Sequence, residues 1–189
     1  ELSDASDANA LGHVREQLPV LAEKLLAENV SALDVSCVIS AVYCDMTRRA
    51  WEMAVRHMET SGAGQQPAPA ALLVLGSGGR CESMLRPDQD NALVHSGTDA
   101  DDEWFAGAAT HMSKLLDDAG VPFCKGGVMA SNPKWRRSLD GWKEETSRWV
   151  RSNNPDALLM VDIFFDFVAV AGDMELADRD RVVEGARGG

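Results

Sequence analysis

Apolar residues recur along this chain in two different rhythms. From Val14 to Asn29, Leu18, Leu21, Leu25 and Leu26 return at the spacing of one helix face. Ser31, followed three residues later by Asp34, has the form of a capping box opening a second, longer helix. There Val35, Val38, Ile39, Val42, Met46, Ala50 and Met53 make one apolar stripe, and Arg48, Arg49, Glu52 and Arg56 fall largely off it. The stripe, methionines included, is expected to pack a core rather than bind a ligand. SGAGQQPAPA, Ser61 to Ala70, interrupts the rhythm with Gly and Pro and is expected to be a linker. The boundary is placed there, with an N-terminal helical segment over 1–66 and a second unit over 67–189.

Past the linker the rhythm shortens. Ala71 to Leu75 is a brief apolar run ending at Gly76, as in a buried strand, and Asn91 to His95 is a second. Asp102 to Ala119 predicts a helix closed by Gly120 and Pro122. Pro133 to Ser152 predicts another, with Pro in its first turn and Trp135, Leu139, Trp142 and Trp149 on one side. Leu158 to Val170 contains DIFFDFVAV, which predicts a strand. Strands alternating with helices imply an α/β fold, a sheet packed on helices.

Composition narrows the class. Apolar content of 45% and charged content of 25% are globular values. No run of about 18 uncharged apolar residues exists to span a membrane. The opening ELSDASDANALG has no basic end and no apolar core, so it is not a secretory signal. Without an initiator Met, and with a bare EGARGG at the other end, both termini look like cuts from a longer protein. Cys37, Cys44, Cys81 and Cys124 form no C-x-x-C pair and sit in core-like segments, so buried free thiols in a reducing cytoplasm are expected. The scattered His13, His57, His95 and His111 argue against zinc. A net charge of −12, relieved only by the short basic cluster Lys134, Arg136 and Arg137, argues against a nucleic-acid acceptor.

The candidate chemistry lies in GSGGRCESMLRPDQDNALV, between the first two strands. Gly76-Ser77 directly follows a strand, and glycine permits both the sharp turn and a close approach of backbone N–H groups to an anion. The Ser77 hydroxyl and those N–H groups suit the outer phosphates of a nucleoside triphosphate. In Asp88-Gln89-Asp90 the two carboxylates, two residues apart in extended chain, project one way and Gln89 the other. Two such charges raise each other's proton affinity unless a cation lies between them, and oxygen-only donors favour Mg²⁺ or Mn²⁺. Asp162 and Asp166 share a face of the expected later strand, and an acid inside so apolar a run needs a cation or a hydrogen-bond partner. Asp88, Asp90 and Asp166 together suggest a two-metal phosphoryl-transfer site. Ser131 and Asn132, at the expected start of the helix opening SNPKWR, are candidate anion contacts, with an ordinary N-cap as the alternative.

These motifs resemble a family of nucleotidyltransferases in the DNA polymerase beta-like superfamily, similar to the uridylyltransferase that modifies the nitrogen-regulatory PII protein. The resemblance rests on GS-x-GR-x-E, DQDNALV, GGVMASNPKWRRSL (Gly126 to Leu139), the Trp142 and Trp149 helix, IFFDF (Ile163 to Phe167) and DMTRR (Asp45 to Arg49). It implies a nucleotidyltransferase fold, a mixed β-sheet with flanking helices. It also implies triphosphate on Gly76 and Ser77, metal on Asp88, Asp90 and Asp166, phosphate on Arg80, and Glu82 orienting Arg80 or its loop. An acceptor on a PII-like regulator, a signalling role, and sensor domains elsewhere in the full-length chain are further implications. Three positions depart from the family pattern: Ser83 for Gln, Pro87 for Thr, and Val168 for the Arg that usually follows the third carboxylate. A nucleotide-sensing module without turnover and a helical protein-interaction module are the alternative readings.

Overall fold

The computed structural model describes residues 2–152 and 154–178, and the closing EGARGG lies outside the described residues. Helix α1 (Ala8–Ala27) begins where the Asp7 carboxylate accepts the Ala10 N–H at 2.9 Å. Helix α2 (Ala32–Thr60) begins at Ser31, whose hydroxyl accepts the Asp34 N–H and donates to the Asp34 carboxylate. Of the expected stripe, Val35, Ile39, Met46 and Ala50 are buried, joined by Tyr43, Trp51 and Ala54, and Val38 stays exposed. Strand β1 (Ala70–Val74), the single helical turn α3 (Gly76–Gly79), strand β2 (Asn91–His95) and helix α4 (Asp102–Asp118) follow.

Two expected elements form differently. The helix predicted over 133–152 is instead a 3-10 turn (Pro133–Trp135), a short strand β3 (Arg136–Ser138) and helix α5 (Leu139–Arg151). Strand β3 pairs in parallel with β2, and Ser138 caps α5 by accepting the Gly141 N–H at 3.1 Å. The strand predicted over 158–170 divides into helix α6 (Pro155–Phe165) and strand β4 (Val168–Gly172). A short apolar run fits either period. Here Ala157, Met160, Val161 and Phe164, at helical spacing, face one apolar cluster while Asp162 is exposed.

The sheet has the order β3-β2-β1-β4, with β1 antiparallel to both neighbours. Its side chains alternate between two cores, as the strand period requires. Leu72, Val74 and Leu93 point toward α1, α2 and α4, among Leu18, Ile39, Met46, Phe105 and Met112. Ala71, Leu73, Ala92 and Val94 point the other way, toward Trp135, Trp142, Trp149 and Phe164. The N-terminal helices and the sheet thus share a core, in a mixed α/β architecture with helices on both sheet faces. No helix among the described residues is long and apolar enough to cross a membrane.

Charge and sulfur positions also differ from expectation. Arg136 is not part of a basic surface: it is buried, donates to both oxygens of Asp102 at 2.8 and 2.9 Å, and donates to the Ala130 carbonyl at 2.7 Å. All four cysteines are free, but only Cys44 and Cys124 are even half-buried. Cys37 is exposed because it falls off the α2 stripe, and Cys81 because it lies in the turn after α3.

Two outcomes are expected. Trp142 is fully buried, stacks on Phe164 with ring centroids 4.3 Å apart, and donates its indole N–H to the Leu93 carbonyl. Trp142→Ala should therefore cost about 3–5 kcal/mol in urea unfolding. The hydrogen bonds from Arg136 hold the Asp102 carboxyl below the usual carboxylate range. A group with a depressed folded pKa stabilises the fold above its unfolded pKa and loses that contribution as pH falls through the folded one. Asp102→Asn should thus lower the urea midpoint at neutral pH, and its difference from the parent should shrink below about pH 3.9.

Candidate active site

The site forms where β1 ends. The carbonyl of Asp90 accepts the Leu75 N–H at 3.0 Å, which brings the segment before β2 alongside the turn into α3. Gly76 makes that turn at φ +55, and a Cβ there would sit 3.1 Å from Asp90 Oδ2. Only glycine suits both the conformation and the approach of the carboxylate.

Gln89 sets the orientation of its two neighbours. Its buried side-chain amide donates to the carbonyls of Ser113 and Val121 at 3.0 and 2.8 Å, and its backbone N–H donates to the Pro122 carbonyl. Extended chain then turns Asp88 and Asp90 to the opposite side, as the alternation predicts. Asn91 extends the same lacing. Its side-chain carbonyl accepts the Ala130 N–H and its own N–H reaches the Val128 carbonyl, so the GGVMA segment runs beside DQDN.

That lacing brings in a residue the sequence did not single out. One ligand atom each from Asp88, Asp90 and Cys124 lie within 4.8 Å of one another. Burial raises the proton affinity of the Asp90 carboxyl, and Asp88 adds to it; a hydrogen bond from Cys124 offsets part of this. Burial likewise pushes the Cys124 thiol up, assisted by Asp90. Cys124 thus stands as a thiol donor to Asp90. The two carboxylates form an oxygen pair whose mutual repulsion a divalent cation would relieve, so these residues fit such an ion. Beside them lies a cavity of about 30 Å³, bordered by Ser40, Tyr43, Ser77, Ser83, Asp88 and Asp90.

Asp166 is placed differently from the strand position expected for it. It sits in the turn between α6 and β4, half-exposed, and its carboxylate is 3.3 Å from Arg80 Nη1. Arg80 donates through Nε to Glu82 at 2.8 Å, so one guanidinium spans both acids. The structure therefore joins Arg80, Glu82 and Asp166 as one group and Asp88 with Asp90 as another. Both groups border α3, with Asp90 against Gly76 and the Asp166 carbonyl packed where a Gly79 side chain would be.

Ser131 and Asn132 do not line the cavity beside Asp88. They precede a three-residue 3-10 turn rather than a full helix. The Asn132 side chain accepts the Lys134 N–H and donates to the Gly127 carbonyl, which is the N-cap alternative. Nothing in the spacing of Cys124 marked it, because it reaches Asp90 only through backbone pairing with the loop after α4.

A mixed sheet with helices on both faces, a Gly-Ser turn after the central strand and paired carboxylates ahead of the next strand describe a nucleotidyltransferase-like domain. Residues 16–156, well over half of the chain, match the model of the family described as putative nucleotidyltransferase DUF294, and the chain belongs to that family. The matched span covers the Gly-Ser turn, Arg80, Glu82, Asp88 and Asp90, and ends before Asp166. No curated protein matches the chain.

The contact between Gly79 and the Asp166 carbonyl gives a further expectation. Gly79→Ala should overpack the junction and cost about 1–3 kcal/mol in urea unfolding. A loss below about 0.5 kcal/mol, the usual range for surface changes, would mean that the two segments part freely.

Proposed function

We propose that the domain transfers a nucleoside monophosphate from a nucleoside triphosphate to an acceptor hydroxyl, with Mg²⁺ or Mn²⁺ held by Asp88 and Asp90. The observation that carries this reading is the Asp90 carboxylate against the glycine turn that ends β1, with the Asp88 carboxylate beside it. When bound, the cation neutralises triphosphate charge and makes the acceptor hydroxyl easier to deprotonate. The first N–H groups of a helical turn have no acceptor within it, so the start of α3, with the Ser77 hydroxyl, is suited to the outer phosphate oxygens. Arg80 exchanges the Asp166 carboxylate for phosphate as the triphosphate enters, while Glu82 keeps the guanidinium oriented. Asp166, once released by Arg80, would complete the carboxylate set with Asp88 and Asp90 and would accept the proton of the acceptor hydroxyl. Ser131 and Asn132 would lie at the periphery of the bound nucleotide.

The acceptor proposed is a hydroxyl on a protein, such as a PII-like regulator, which would give the domain a signalling role in the cytoplasm. The net charge of −12 supports a protein over a nucleic-acid backbone. One observation favours a second reading, a nucleotide sensor without turnover: Asp166 is engaged by Arg80 rather than gathered with Asp88 and Asp90.

Thermal melting with each nucleoside triphosphate, with and without Mg²⁺ or Mn²⁺, tests the site. A ligand at about 100 times its Kd should stabilise the fold by roughly 2.7 kcal/mol. The expected result is metal-dependent stabilisation by one triphosphate, lost in Asp88→Asn/Asp90→Asn. Stabilisation that survives in the double variant would remove the assignment. Binding without pyrophosphate release in the presence of acceptor would select the sensor.

A further inference from the structure

One wall of the cleft has a feature that the proposed chemistry does not use. After α3 the chain runs along α2 in register. The buried Ser83 N–H donates to the Ser40 hydroxyl at 2.9 Å, and the Leu85 carbonyl accepts the Tyr43 hydroxyl at 3.0 Å. Continuing this register backward, two residues along the loop and one turn along the helix, sets Cys81 against Cys37. Both residues are exposed, and the neighbouring Cys81 thiol raises the proton affinity of Cys37. Cys81 holds a left-handed backbone conformation, φ 60, which is uncommon for a residue with a side chain.

We propose that Cys37 and Cys81 form a redox-sensitive dithiol that hydrogen peroxide closes to a reversible disulfide. One thiolate attacks a peroxide oxygen, and the O–O bond breaks to leave a sulfenic acid and water. The second sulfur attacks the first, the S–S bond forms, and the sulfenic oxygen leaves as a second water molecule. The two thiols together give up two electrons and two protons to one peroxide. Thiols that the register sets opposite one another need little backbone movement to reach disulfide geometry. The closed form would staple the segment bearing Arg80 and Glu82 to α2, and thiol exchange would release it. Cys44 is the competitor, but it is half-buried, so peroxide reaches it less readily than the exposed pair. The proposal is independent of what the cleft binds.

The test is thiol counting and peptide mapping on the intact chain after mild peroxide treatment and alkylation. The expected result is a fall from four free thiols to two, a Cys37–Cys81 link in monomeric protein, and full recovery with dithiothreitol. Cys37→Ser, a change at an exposed position, should form no disulfide within the monomer under the same treatment. The selectivity should vanish in denaturant, where the register of loop and helix is lost. An unchanged thiol count, a Cys44–Cys81 link, covalent dimers, or equal Cys37–Cys81 pairing in denaturant would each overturn the proposal.

Discussion

Strand β1 is buried on both faces and hydrogen-bonded along both edges, and the polar chemistry of the domain is arranged around that constraint. Its five residues are apolar throughout, since any polar side chain there would need a partner that neither core supplies. Functional groups can only be mounted where the strand stops. The chain meets this at Gly76 with a turn, and the neighbouring strand β2 meets it one residue before its own start, with Asp90. Antiparallel pairing brings those two ends together, since Val74 lies opposite Asn91. The meeting of glycine and carboxylate is thus a result of sheet register.

What holds the carboxylates in place is largely uncharged. Gln89 and Asn91 flank Asp90 and bind their amides to backbone groups of α4 and the loop after it. Alternation along extended chain then gives a division of labour in DQDN, with amides anchoring on one side and acids offered on the other. The same anchoring carries Cys124 to the acids, so the GGVMA segment acts on the site through main-chain pairing.

Much of this was legible in the sequence. The long helices, the first two strands and the opposition of Gln89 to its neighbouring acids follow from period alone. The acidic pair and the glycine turn were recognisable as residue types. Two segments were not legible for a common reason. In 133–152 a single helical period conceals a strand of three residues, which exists because β2 offers a free edge to pair with. In 158–170 the apolar run satisfies either period, and the choice of helix depends on Trp135, Trp142 and Trp149, which come from elsewhere in the chain. The same limit applies to Asp166. As a strand residue it would point with Asp162, but in the turn after α6 its direction is set by Gly79 and Arg80, neither of which is near it in sequence.

The pairing of Arg80 with Asp166 joins two segments that lie far apart in the sequence. Val168, two residues after the acid, brings no charge of its own. The guanidinium beside the carboxylate comes from the segment after α3, at the end of the adjacent strand β1. One ion pair thus couples the GR-x-E segment to the turn after α6, 86 residues further along the chain. The two stretches form one electrostatic unit, and a change of charge in either alters the field felt by the other.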